Sequence, residues 1–297
     1  MGLAGTITPL GLHGGRLCAG ALGGALSMSG IAPGALAGVL AAGWWYVSAT
    51  RRLAGRSWPV SRTAGWGAGL LVIAAATQSP LAAHDTSSFT AHVVQHLLLG
   101  MVAPVLLALG APVTLALQSS GRATQRRLLA VLHSGPARAI THPVVTWLLF
   151  GASMFALYFT NLYADTVANT ALHELTHAYF VMVGSLFFWP VVGLDPIPHR
   201  LPYGGRLLYV AVALPFHTVL GMALLSQKTL LAPGLTLRDQ QVGAGVLWSA
   251  GEALGLIAMI VVGVQWLNAE EREAARVDRR LDAVVDHGRP VGTLDEQ

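Results

Sequence analysis

The chain of 297 residues has one cysteine, Cys18, and few charges: Asp, Glu, Lys and Arg together make up 11%. A lone cysteine excludes an internal disulfide framework and any CxxC-type soft metal site. Scarce charge excludes an ordinary soluble domain, in which about a quarter of the residues are charged. The seven methionines form no cluster along the sequence, so no methionine-rich Cu(I) relay is visible. There is no internal repeat. The basic residues follow a membrane topology rather than forming a patch, so nucleic-acid binding has no support.

What remains is apolar. Hydrophobic residues make up 54% of the chain and the mean hydropathy is +0.57. Such a composition predicts an all-α polytopic membrane protein, a single helical bundle. Hydrophobic runs place seven spans at 33–50, 63–80, 89–117, 143–162, 169–193, 207–227 and 242–267. The third is long, and Gly110-Ala111-Pro112 is expected to end or kink it. Of the 18 Lys and Arg, 15 fall in segments 51–62, 118–142, 194–206 and the tail after 267, all on one side of a seven-span bundle. Positive charge stays in the cytoplasm, so the N-terminus is expected outside and the C-terminus inside. The domain plan is then a Gly/Ala-rich extension at 1–31 (an extra span or signal-like segment), a seven-helix transmembrane domain at 32–267, and a charged cytoplasmic tail at 268–297. The run GRATQRRLLAVLHSG reads as an interfacial basic helix. GxxxG pairs at Gly34/Gly38, Gly65/Gly69 and Gly251/Gly255 suit close helix packing.

Against this apolar background two segments stand out. SFTAHVVQHLLLG carries His92, Gln95 and His96; NTALHELTHAYFV carries His173 and His177. In each, two imidazoles four residues apart share one helix face about 6 Å apart along the axis. Ionisable groups within a span are costly and usually functional. The expected topology puts both pairs in the outer third of their spans, with His217 and Glu252 near mid-depth. His84, Asp85, Asp239 and Gln240 fall at the outer mouth, as groups that hold the ligands from behind or line the entrance. The candidate metal ligands are therefore His92, His96, His173, His177, His217 and Glu252. Imidazole with carboxylate suits copper, zinc, iron or nickel and does not choose among them. Facing His pairs can hold one metal, two metals, or a haem between two helices.

HELTH, residues 173–177, also matches HExxH, in which two His bind zinc and the Glu is a general base. A protease needs a further ligand. The nearest downstream carboxylate, Asp195, is 18 residues past His177, about 27 Å along a helix, so the match reads as coincidental.

Further segments complete a resemblance. HDTSSFTAHVVQHLLLGMVAPVLLALGAPVTLAL, THPVVTWLLF, LFFWPVVGLDPIPHRLPY, LPFHTVLGMALL and DQQVGAGVLWSAGE resemble the CtaG-type cytochrome c oxidase assembly factors in their actinobacterial form, over roughly residues 35–275. The resemblance implies a seven-span bacterial plasma-membrane protein that serves maturation of haem–copper oxidases at copper insertion, with no catalytic turnover. It places His92, His96, His173, His177, His217, Asp239, Gln240 and Glu252 at family motif positions. It implies copper as the bound ion, a cytochrome c oxidase subunit as partner, a copper donor protein, and the lipid bilayer as surroundings. Because neutral imidazole is the ligand form, loading is expected to weaken as pH falls through about 6–7. The rival readings are a metal- or haem-dependent membrane redox enzyme, an HExxH intramembrane metalloprotease, and a metal-free scaffold.

Overall fold

A computed structural model describes residues 32–53 and 57–288. The extension 1–31, with Cys18, and the last nine residues of the tail lie outside the described residues. All regular structure among those described is helical. In chain order it comprises α1 (Pro33–Arg51), α2 (Val60–Gln78), α3 (Pro80–His84) and α4 (Phe89–Leu97), then a π-helical turn (Leu98–Val102). It continues with α5 (Ala103–Leu109), α6 (Pro112–Ser119), α7 (Arg122–Leu132), α8 (Gly135–Ile140), α9 (Pro143–Phe159), α10 (Leu162–Ala168), α11 (Thr170–Val192), α12 (Tyr203–Ser226) and α13 (Leu237–Gly288).

Five helices or helix runs are long and apolar enough to cross a membrane: 60–84, 89–119, 170–192, 203–226 and 237–281. A sixth arises if α9 and α10 count as one span bent by 72°. The expected count of seven is therefore not reached by length and composition. Helix α1 has 19 residues, but Gly, Ala, Ser and Thr dilute its apolar character. Helix α9 stops after 17 residues, where Thr160 turns its hydroxyl back to the Ala156 carbonyl and caps Leu162 N–H. The outward faces carry Leu40, Leu71, Leu148, Leu208 and Ile260 exposed. Apolar outer faces suit a bundle that lipid covers.

Helix α13 runs on to Gly288, beyond the expected end of the last span at 267. The sequence between Gly263 and Gly288 has no Gly or Pro and is rich in Ala, Glu and Arg, all good helix formers. The charged segment after residue 267 is thus helical as far as Gly288 and continuous with the span.

The third run breaks where the sequence reading put it. Ala111 adopts a left-handed conformation, φ 46°, and Pro112 restarts the helix. Tyr46 fastens α1 to this break, its hydroxyl donating to the Gly110 carbonyl at 2.8 Å and accepting from Trp58 Nε1 at 3.0 Å. Asp195 is buried there too. Its carboxylate accepts from Val113 and Thr114 N–H, the Thr114 hydroxyl and Trp189 Nε1, at 2.6–3.2 Å. An acid at a helix N-terminus satisfies free N–H groups and the dipole together. Asp195 caps α6, far along α11 from His177, as its spacing implied.

At the opposite end of the same run Asp239 does the equivalent work. It accepts from Ser88 Oγ, Phe89 N–H, Thr90 N–H and Thr90 Oγ1 at 2.6–3.4 Å, tying α13 to the start of α4. Between the two caps lies the π-helical turn. Pro104 has no N–H, so the carbonyl four residues back, Gly100, loses its normal partner. Gly184 of α11 packs directly against Gly100, where a Cβ would collide with the carbonyl. The two helices that carry the HxxxH pairs therefore meet backbone to backbone.

Of the three GxxxG pairs, two lie at tight crossings. Gly65 and Gly69 seat α2 on Leu109 and Leu107, and Gly251 and Gly255 seat α13 on His217 and Leu214 of α12. Gly38 has open space beside it. The basic run 121–135 contains α7, whose surface is largely exposed, as expected for an interfacial helix.

Candidate metal centre

Helix α4 starts at Ser88, whose hydroxyl accepts from Ala91 N–H; helix α11 starts at Asn169, whose side chain accepts from Leu172 N–H. Each cap sets its first His one turn in. The crossing at Gly100 and Gly184 then fixes how closely the two His faces approach.

The result is a quadrilateral of imidazoles. His92 and His96 stand 4.0 Å apart between ring centroids along α4, and His173 and His177 stand 4.3 Å apart along α11. Across the interface His92 faces His173 at 5.6 Å and His96 faces His177 at 5.5 Å. All four are buried. Both ring nitrogens of His92 and of His96, Nδ1 of His173 and Nε2 of His177 have no hydrogen-bond partner. Buried polar atoms without protein partners are costly, and water, an ion or a chemical role is what accounts for them.

Asp85 joins the group. Its Oδ2 lies 3.0 Å from His173 Nε2, and the carboxylate is buried. The imidazole donates from Nε2–H, which leaves the unpartnered Nδ1 lone pair free. Metal-bound His usually donates its other N–H in this way. Asp85, His173 and His177 also bring one ligand atom each within 4.8 Å of one another. The expected entrance residue is thus in direct contact with the cluster. The short helix α3, capped by the Ser79 hydroxyl, and the turn that closes on the His84 carbonyl fold it inward.

A polar cavity of about 210 Å³ adjoins this group, lined among others by Asp85, Gln95, Thr166, His173, Glu174 and His177. Gln95 is fully buried; its Nε2 donates to the Ala76 carbonyl while its Oε1 has no partner. Tyr163 of α10 sets its ring edge-on to His92 at 4.8 Å, and its hydroxyl too is unpartnered. Neither Tyr163 nor Thr166 carried a sequence signal, because α10 exists only through the bend after α9.

The other expected residues are dispersed. His217 is buried with both ring nitrogens unpartnered, one cavity away from His96 rather than in the quadrilateral. Glu252 accepts from the Thr218 hydroxyl on α12 and lies outside the group whose ligand atoms converge. His84 is exposed, and its Nδ1–H donates to the Pro80 carbonyl. Gln240, fully buried, donates to Thr229 O and accepts from Leu231 N–H, so it pins the loop before α13. Asp239 and Gln240 thus tie the start of α13 to α4 and to the loop before it.

The sequence profile of the family described as cytochrome c oxidase caa3 assembly factor (Caa3_CtaG) matches residues 44–269, which include every residue of the quadrilateral. Similar proteins are an uncharacterized protein of Mycobacterium bovis and one of Mycobacterium tuberculosis, each 35% identical over 268 residues. An uncharacterized protein of Mycobacterium leprae is 33% identical over the same length. These alignments take in 84% of this chain and 40–41% of the relatives, so the chain spans about two fifths of the length of the curated proteins it matches. No solved structure matches significantly. With the HxxxH helices, the Asp239 and Asp195 anchors and the glycine crossings all inside the matched region, the chain belongs to the cytochrome c oxidase caa3 assembly factor family.

Proposed function

We propose that the chain holds copper in the His92–His96–His173–His177 quadrilateral and supports copper-site formation in a cytochrome c oxidase subunit. The observation that carries this reading is the set of six unpartnered nitrogens on four buried imidazoles from two facing helices. Such an array costs free energy unless an ion or ordered water occupies it, and four imidazoles facing one another are a ligand set for a transition metal. Asp85 would orient His173 from behind, and the 210 Å³ cavity would admit the ion. The arginine distribution supports a bacterial plasma-membrane orientation with this end of the bundle outside. A copper donor protein on that side would supply the ion; the bilayer would cover the apolar faces.

The test is the oxidase itself. In cells whose only copy carries His173→Ala/His177→Ala, the oxidase is expected to retain haem and lose copper. Normal oxidase copper in those cells contradicts the proposal.

One observation favours a second reading. Asp85 supplies to the HExxH pair the third ligand that spacing along the chain did not provide, and Glu174 lines the same cavity. Two His and an acid with a free fourth position is the ligand set of catalytic zinc. Glu174→Gln separates the two. Unimpaired oxidase maturation supports the copper reading, whereas loss of maturation with metal content intact supports a hydrolase.

A further inference from the structure

His96 has a second face. It lines a cavity of about 20 Å³ with Met101, Met154, Tyr158 and His217, none of which lines the cavity beside Asp85. That is room for about one water-sized occupant. The methionines are 53 residues apart in the sequence and belong to different helices. The π-helical turn places Met101 here, and α9 brings Met154 across to it. Both are buried, at 5% and 6% exposure. His217 is held in place by Gly251, where a Cβ would strike its ring. Its two nitrogens and both nitrogens of His96 have no partner. The remaining walls are apolar, including Phe150 and Phe180.

No carboxylate lines this cavity. Two imidazoles with two thioethers, in apolar surroundings, make a soft, uncharged donor set. Such a set suits Cu(I) and suits a hard or doubly charged ion poorly. We infer that the His96–His217–Met101–Met154 cavity is a second, Cu(I)-selective site, with His96 able to ligate in it or in the imidazole quadrilateral, one at a time, so that the quadrilateral keeps three imidazoles when both are filled. The inference rests on the copper reading of the quadrilateral and adds oxidation state and direction to it. An ion arriving beside Asp85 among nitrogen donors would move inward by exchanging ligands at His96.

The experiment uses the full chain in detergent under anaerobic conditions. It is titrated with Cu(I) against a colorimetric Cu(I) chelator and then studied by copper X-ray absorption. The parent is expected to bind two equivalents and to show sulfur in the copper ligand set. Met101→Leu/Met154→Leu is a volume-conserving change that leaves packing nearly intact. It is expected to lose one equivalent and all sulfur scattering. His92→Ala/His173→Ala is expected to lose the other equivalent and keep the sulfur signal. A parent that binds one copper without sulfur, with the Leu variant unchanged, overturns the second site and leaves the quadrilateral standing. A parent that binds no copper overturns the reading on which both rest.

Discussion

The Nε2 of His173 lies 3.0 Å from Oδ2 of Asp85, and both groups are buried. This contact couples a residue from the turn after α3 to the first imidazole of α11, 88 positions later. It fixes which nitrogen of His173 faces the cluster. Asp85→Asn keeps an acceptor and removes the charge. Changing the carboxylate that holds a metal-binding His from behind typically costs about 10–100-fold in metal affinity. That loss is the expected outcome in a copper competition titration, with helical circular dichroism unchanged.

Asp239 should matter for stability rather than for metal. Its carboxylate satisfies the first N–H groups of α4 and two hydroxyls at once. Loss of a charged cap costs about 1–3 kcal/mol. Asp239→Ala is expected to lower the melting temperature in detergent by several degrees. Metal stoichiometry in the folded fraction should stay at the parent's value.

The close crossing of Gly184 and Gly100 sets the separation of the two His pairs. Gly184→Ala inserts a methyl against the Gly100 carbonyl and should force α11 away. The expected outcome is about 1–3 kcal/mol of destabilisation, as for overpacking, together with weaker copper retention. Gly245→Ala is the control, since a Cβ there meets open space. It should be neutral or slightly stabilising, because Ala is the better helix former. Thermal melts and metal analysis of the two variants check both statements.

The parts of this molecule legible in the sequence are those written along single helices. The HxxxH spacing gave both pairs, the apolar runs gave the helices, and Gly110-Ala111-Pro112 gave the break at Ala111. What depended on tertiary contact was less legible. Asp85 reached the cluster only because a five-residue helix and a turn fold back over it. Asp239 and Gln240 were expected as entrance groups, but their partners, at Phe89–Thr90 and at Thr229–Leu231, show anchors. Glu252 was read from depth and from the resemblance, and neither says which way a side chain on α13 turns. Met101 and Met154 showed no clustering in sequence because the π-helical turn and the packing of α9 create their proximity.

The central claim, that the four imidazoles hold copper, meets its most direct test in detergent-purified protein. Copper content and an absorption spectrum are measured for the parent and for His92→Ala/His96→Ala. The account predicts stoichiometric copper without a Soret band in the parent, and its loss in the variant. Equal copper in the two proteins, or a parent that holds zinc or haem instead, would contradict it.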